Sequence, residues 1–546
     1  MAREVAFPRT RHLALSSSGQ VEEAKAAGSE AILVPIRVAA DQQAAPAPRE
    51  LPWLVEVDVA APAGEADQCR SADGAPAPVR CASSLEGRQH ASDAAAKAAS
   101  LGDAVLLAGL DRWYALGPEA AGYCRSCELS LIEHLRENYG EHMAPFDALA
   151  ALRTSTLPPR ERPFAGQKEA VRFADAVEAG KGAALRARDQ ARSERGMEMM
   201  VLGRVGPLGG LALELCRHLD GLVFELQSLD PMAELAALLS ARAALGQRPA
   251  VAMLPATASV AQVRLFAALA AACDANVVLS PGAPAGAVAA LARHRSFLSL
   301  LRERYRPSQP LVDAEVLVSP RCDHWTQGAH LRAVSLAVAA LAQAQLQPSM
   351  RLDLGGGAKA RLLVLAGAGA LSEADAHAAR RHVEQGGDAL VVGPAMPADD
   401  EGRTGPALFA EVKSGLDRVG EGRVYALDQP AGLPRALREL MAGRGRSNLT
   451  LAGRGKLWAR AYLDPERKLD VHLVNLDLRE PGFVSAQGMQ AQIAGQAAGG
   501  GRSGYWFSPE RAGGKDGERI TLNPSGFSVS TILPSIDAYA LLAVPR

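Results

Sequence analysis

The sequence predicts an α/β protein that opens with a (β/α)8 TIM-type barrel, and three observations carry this expectation. Short apolar runs recur through the first 310 residues, separated by alanine-rich helical stretches. These runs are apolar throughout rather than alternating, as parallel strands covered on both faces should be. About eight β–α repeats fall within about 300 residues, the size of such a barrel. A doubly wound open sheet has the same local pattern and remains the alternative. The chain of 546 residues is too long for one core, since cores stop growing near roughly 250–300 residues.

In order, the strand-like runs are RHLALSSS from Arg11, AILVPIRV from Ala31, LPWLVEVDV from Leu51 and DAVLLAGLD from Asp103. MEMMVLGRV from Met197, DGLVFELQS from Asp220, PAVAMLPAT from Pro249 and NVVLSPG from Asn276 complete the set. Two insertions break the rhythm. Residues 61–100, rich in Ala, Gly, Pro and Ser, read as a long loop after the third strand and hold Cys69 and Cys81. Residues 112–196 read as helical and hold a Cys-x-x-Cys motif. Both should sit on the C-terminal rim of a barrel, where sites are built.

A second pattern starts near residue 311. AEVLVSP, ARLLVLAGAGAL and DALVVGP read as strands, and HLRAVSLAVAALAQAQL and SEADAHAARRHVEQGG as helices between them. This is a β-α-β-α-β unit with a parallel sheet. Ser372 with Asp375 marks a helix start and Gly386-Gly387 its end. From about residue 440 the helices vanish, and short strands such as LWARAYLD and KLDVHLVNLDL suggest a small β-sandwich-like end domain. The expected division is therefore 1–310, 311–437 and 438–546.

Composition excludes some functions. A net charge of −1 from 59 basic and 60 acidic residues gives no electrostatic footprint for nucleic acid. No apolar run approaches the roughly 18–20 residues of a membrane helix, and the N-terminal stretch has no secretory apolar region. Seven cysteines, an odd number in a long chain, read as reduced thiols in the cytoplasm. Aromatic residues make up only 4%, which argues against an open cleft of sugar-stacking rings.

The segment Gly122-Tyr-Cys124-Arg-Ser-Cys127 is followed by ELSLIEHLRENYGEHMAPFDAL and PFAGQKEAVRFADAV. It includes Glu137-Asn-Tyr139-Gly140 and Phe173-Ala-Asp175. With SPRCDHWTQGAH, the LLVLAGAGAL region, VHLVNLDL and PSIDAYALLAV, the layout resembles β-galactosidases and related glycosyl hydrolases that carry a trimerisation domain. The resemblance touches all parts of the chain through the order and spacing of its motifs. It implies a glycosidase-like barrel, a flavodoxin-like middle domain and a small β-domain. It also implies a carbohydrate or glycoside ligand and a homo-oligomer or heteromeric complex. The sequence departs from those enzymes where they carry an Asn-Glu pair after the fourth strand. Here the stretch from Leu110 to Glu119 has none. That argues against β-galactosidase activity itself. It leaves a different hydrolase of this architecture, a barrel that binds or scaffolds without catalysis, or an enzyme of unrelated chemistry.

Glycoside hydrolysis needs two carboxyl groups across the scissile bond. Asp111 after the fourth strand and Glu225 at the end of the sixth fit the rim of a barrel. Burial would raise the pKa of Glu225 and suit an acid role; the competing reading is a structural carboxylate paired with an arginine such as Arg204. Alternation puts Glu56 and Asp58 on one face, so one of them could line the pocket. Arg112 lies beside Asp111, Trp113 or Trp53 is the expected platform, and Glu119 could substitute as acid. Cys124 and Cys127 have metal-ligand spacing, which Cys69, Cys81 or His90 could complete into a structural zinc site. The competing reading is two reduced cysteines capping a helix. No other cofactor is expected. Asp323, His324, Trp325 and His330 read as a junction loop over the barrel mouth. Cys322 is not on a nucleophile elbow, which excludes amidotransferase chemistry. Gly355-Gly-Gly357 and Gly367-Ala-Gly369 lack the phosphate-loop fingerprint and read as turns.

Overall fold

The computed structural model describes residues 15–16, 25, 29–35, 51–62, 64, 68–115, 122–140, 164–301, 309–400, 402–442, 447–463, 468–479, 481–494, 502–510, 517–526 and 528–545. Its first sheet has eight strands: β1 (Leu15–Ser16), β2 (Ala31–Pro35), β3 (Trp53–Asp58), β4 (Ala104–Ala108), β5 (Met200–Val205), β6 (Gly221–Glu225), β7 (Ala250–Leu254) and β8 (Asn276–Leu279). They are hydrogen-bonded in this order, every pair parallel. A doubly wound sheet reverses its strand order at a switch point. This one does not, so the open-sheet alternative falls.

The sheet curls. Leu15, Leu33, Leu54, Leu106, Leu202, Val223, Met253 and Val278, one from each strand, belong to a single buried cluster. Inward residues of eight strands can meet only if the sheet wraps around them, as the side-chain layers of a TIM barrel do. The guanidinium of buried Arg295 bridges the two ends, donating to Leu15 O at 2.8 Å and Val277 O at 2.7 Å. The outward residues, such as Val55, Val105 and Val201, join the larger core under the helices. Both faces are therefore buried, which is why the strands show no alternation.

After β3 the chain forms a hairpin, Gln68–Arg70 with Pro76–Arg80, and then helix α1 (Leu85–Leu101). The expected long loop is thus corrected. The alanines of ASDAAAKAASL favour helix, and Ser84 caps it by accepting from Gly87 N. Helices α2 (Arg125–Tyr139) and α3 (Ala165–Arg195) follow β4. Buried Ala91, Ala95 and Ala98 of α1 pack with Ala176, Ala183 and Ala187 of α3, so small side chains let the two helices approach closely. Then come α4 (Gly210–Leu215), α5 (Pro231–Leu245), α6 (Val260–Ala272) and α7 (Ala285–Leu300), one after each of the last four strands. Asp230 caps α5, and Ser259 with Gln262 forms a capping box on α6.

The second sheet has β9 (Ala314–Leu317), β10 (Pro348–Arg351), β11 (Leu362–Ala366), β12 (Asp388–Val392), β13 (Gly415–Val419) and β14 (Gly422–Leu427). Their order is β10-β9-β11-β12-β14-β13, parallel except for the edge strand β13. Helices α8 (Pro320–Trp325) and α9 (Ala329–Gln343) follow β9, and α10 (Glu373–Glu384) follows β11, capped by Ser372. Helix α11 (Leu433–Met441) closes this part and spans position 437. The C-terminal strands make two antiparallel sheets. One includes 457–463, 469–475 and 539–544, the other 449–454, 487–494 and 528–532, around a shared core with Leu451, Val471, Ile493 and Trp506. This end is tied back to the barrel helices by Tyr462 Oη, which donates to Ala272 O at 2.7 Å. The placement that matters most for the site is that of α8 and α9, which pack on α4 and α5 at the barrel rim.

Candidate functional site

Strand direction places the C-terminal ends of β3 to β6 together, and these ends carry the charged residues. Glu56 and Asp58 close β3, Asp111 follows β4, Arg204 lies near the end of β5, and Glu225 ends β6. The turn after β4 is fixed by Gly109 at φ +77°, where a Cβ would stand 2.5 Å from Asp58 Oδ1. Only glycine fits that close approach without strain. The turn aims Asp111 inward, and Asp111 Oδ2 accepts from Gly206 N at 3.1 Å.

Arg204 donates to Glu225 Oε1 at 2.8 Å and also to Glu56 Oε1. Arg112 donates to Asp58 Oδ2 and, at 3.0 Å, to Pro78 O of the hairpin. Asp111, Glu225, Glu56, Asp58, Arg112 and Arg204 all line one cavity of about 500 Å3. Burial raises the Asp111 carboxyl above its ordinary pKa, and the nearby charge of Glu225 adds to the rise. Asp111 and Glu225 also line a second, adjoining cavity of about 770 Å3, which runs along α4 and α5 to α8 and α9.

Of the residues expected at a site, the fold therefore brings together Asp111, Glu225, Asp58 and Arg112. It does not bring the two tryptophans. Trp113 is 5% exposed, sunk in the core under the helices. Trp53 opens β3, at the far end of the strand from Asp58. Neither lines a cavity with the carboxylates, which corrects both platform assignments. Glu119 lies outside the described residues. Asp323, His324, Trp325 and His330, expected in a junction loop, lie instead in the short helix α8, which Ser319 caps and Pro320 opens, and at the start of α9. Asp323 Oδ2 accepts from Gly210 N at 2.8 Å and its Oδ1 from Leu331 N at 3.2 Å, fastening α8 to α4 and α9. His324 packs against Phe173 with ring centroids 4.5 Å apart, and burial pushes its pKa down to about 4. Sequence reasoning missed Glu234 and Ser240, which line the larger cavity from α5; their only signal was a polar side chain facing inward on an alanine-rich helix.

The four cysteines of the two insertions converge. Cys69 and Cys81 come from the hairpin, and Cys124 and Cys127 from the start of α2. Their sulfurs all lie within 4.8 Å of one another. Cys81–Cys124 is 3.2 Å, Cys124–Cys127 3.4 Å, Cys81–Cys127 3.6 Å and Cys69–Cys127 3.8 Å. Four sulfurs at about 2.3 Å from a tetrahedral zinc would stand about 3.8 Å apart, so the donor set fits that ion. His90 is not part of the group. Hydrogen bonding from the Cys124 thiol, then from Cys127 and Cys81, lowers the pKa of Cys69. Gly122 N adds a further bond to Cys69 Sγ at 3.1 Å. Burial lowers the pKa of Lys168 to about 8, and its ammonium stands 3.6 Å over the Tyr123 ring beside the thiols.

No protein-family model matches the chain, and no curated protein does. Solved structures do match over almost the whole length. A β-galactosidase from Bacillus circulans sp. alkalophilus is 13% identical with a TM-score of 0.68, covering 99% of both chains. α-L-Fucosidase isoenzyme 2 from Paenibacillus thiaminolyticus is 11% identical with a TM-score of 0.61, covering 99% of this chain and 100% of that one. An exo-carrageenase GH42 from Bacteroides ovatus is 9% identical with a TM-score of 0.63, covering 100% of this chain and 86% of that one. The chain thus has a fold like that of GH42 β-galactosidases and related glycoside hydrolases, with the curled parallel sheet of a TIM barrel.

Proposed function

We propose that the protein acts on a glycoside as a hydrolase, through the carboxyl pair Asp111 and Glu225. The observation that carries this reading is that both residues stand at the C-terminal strand ends and line the same two cavities. Asp111, whose buried carboxyl favours the protonated form, gives its proton to the glycosidic oxygen. Glu225, ion-paired with Arg204, supplies the carboxylate that attacks the anomeric carbon or activates water. The bond to the leaving oxygen breaks as Asp111 gives up its proton. In the direct route water bonds to the anomeric carbon, its proton goes to Glu225 and exchange with solvent resets both carboxyls. In the covalent route water displaces Glu225 from the anomeric carbon while Asp111 takes the water proton. Glu56, Asp58, Arg112 and Arg204 offer charged partners to sugar hydroxyls. The test is hydrolysis of a panel of glycosides by the native protein, Asp111→Asn and Glu225→Gln. Each substitution should lower turnover by about a thousandfold or more; unchanged turnover would remove the pair from the mechanism.

The pairing of Glu225 with Arg204, together with the missing Asn-Glu, favours a second reading: a barrel that binds a glycan, or scaffolds an assembly, without catalysis. Glycan binding by calorimetry with no turnover would select it. The strand order of the second sheet supports a flavodoxin-like middle domain, since its five parallel strands run 2-1-3-4-5. The two facing antiparallel sheets support a β-sandwich-like end domain. We further infer a structural zinc ion on Cys69, Cys81, Cys124 and Cys127, and a reducing, cytoplasmic setting that keeps four such thiols available. Among the described residues no helix is long and apolar enough to cross a membrane. An oligomer, as the resemblance implies, completes the reading.

A further inference from the structure

The two cavities that share Asp111 and Glu225 differ in character. In the smaller, Asp111 and Glu225 are joined by Glu56, Asp58, Arg112 and Arg204, so six of its ten lining residues are charged. A sugar ring, with a hydroxyl on nearly every carbon, matches such walls. The larger cavity also has acidic residues, but the protein itself uses them. Glu234 accepts from Gln227 N at 3.0 Å and Ser228 N at 2.6 Å. Asp323 accepts from Gly210 N and Leu331 N, and Glu169 pairs with Arg172 at 3.0 Å. Most of the surface this cavity offers a ligand is apolar, from Phe173, Leu208, Leu211, Ala236, Ala237 and Leu331, while Gln227, Gln327 and Arg332 add polar side chains to its wall. A second sugar there would set hydroxyls against that apolar wall, at a cost of roughly 1–3 kcal/mol for each one left without a partner. Its volume, about 770 Å3, falls in the range of roughly 300–1,000 Å3 that holds compact organic ligands. On the α5 wall, Ser240 Oγ, 1% exposed, has no hydrogen-bond partner among the described residues.

We propose that the substrate is a glycoside of an apolar ring alcohol or phenol, with its sugar in the charged cavity and its aglycone in the apolar one along α5. This rests on the hydrolase reading for the position of the scissile bond, between the two carboxyls that both cavities share. Ser240 then meets a polar atom of the aglycone. The test is binding, measured by calorimetry with p-nitrophenyl and methyl glycosides of galactose, glucose and fucose. For at least one sugar the aryl glycoside should bind about 30-fold more tightly than the methyl glycoside, the gain from burying one ring. Ala237→Trp fills the cavity and should reduce that ratio to about threefold or less. Leu208→Asn, on the loop before α4, should lower it too and serves if the tryptophan variant does not fold. Equal affinity of aryl and methyl glycosides for all three sugars, or a ratio that neither cavity variant changes, would overturn the proposal. A preserved ratio without any hydrolysis would instead sink the hydrolase reading and leave the apolar cavity standing as a binding site.

Discussion

At the residue scale, Asp111 stores a cost that can be measured. Its carboxyl is raised by burial, so the folded state holds the proton more tightly than the unfolded chain does. Between the unfolded value, about 3.9, and the raised folded value, the folded state binds more protons, and stability falls as pH rises. The loss persists at neutral pH. Asp111→Asn cannot ionise, and its carbonyl oxygen can still accept from Gly206 N. It is therefore expected to be more stable than the native protein at pH 7 and no more stable at pH 3.5. Urea unfolding midpoints at the two values check this, and an equal midpoint at pH 7 would contradict it. Gly109→Ala should act the other way, since a Cβ there meets Asp58 at 2.5 Å in a left-handed turn; a loss of about 1–3 kcal/mol is expected. Asp111 and Glu225 were legible because each follows an apolar run. The pairing of Glu225 with Arg204 was one of the readings the sequence offered, but the second pairing of Arg204 with Glu56 was not, since it spans β4 and depends on the order of strands in the sheet. The position of Trp53 was readable after all: a residue that opens a parallel strand lies at the end opposite the site.

At the scale of elements, the four cysteines act as a clamp between a hairpin and the start of α2. The hairpin has only three and five residues in its strands, and two-stranded ribbons of that size are marginal alone. A metal bound to both elements would fix them together. The purified protein is expected to carry close to one zinc per chain by elemental mass spectrometry. Chelation, or Cys69→Ser, should lower the melting temperature and expose the hairpin to proteolysis. A full-length protein free of zinc whose melting does not respond to chelator would contradict the clamp. The sequence showed the Cys-x-x-Cys half because its spacing is local. It left the other half open among Cys69, Cys81 and His90, because partners 43 and 58 residues apart are chosen by the fold. The hairpin and α1 were hidden by a composition rich in Ala, Gly and Pro, which reads as loop until a cap such as Ser84 is placed. Helices with both caps and a periodic face, such as α10, were read correctly.

At the scale of the molecule, the repeating apolar runs made the parallel sheet legible, because both faces of such a sheet are buried. Its curling was not fixed by any local signal, since open and closed sheets share the same strands. The seams between the parts carry a further expectation. His294 on α7 meets Tyr539 of a C-terminal strand at 5.4 Å, and His324 on α8 meets Phe173 of α3 at 4.5 Å. His330 accepts from Ser319 N at 2.9 Å through Nε2 and contacts Ala366 O at 2.8 Å through Nδ1. Burial lowers the pKa of all three to about 4. The unfolded chain takes up these protons near pH 6.5, whereas the folded chain refuses them until about pH 4. Across that window the unfolded state binds more protons at these sites, so the contribution of the three histidines is complete above pH 6.5 and falls as pH drops toward 4. Each histidine contributes up to roughly 3 kcal/mol of this loss. Urea midpoints should therefore decline steeply between pH 6.5 and 4.5. His330→Gln, which retains a polar side chain, should flatten the decline without removing it, because two histidines remain. His324→Gln should flatten it in the same way and also loosen α8 over the larger cavity. A midpoint that stays level over this window would show that the buried histidines are protonated within the fold or that their sites open to water.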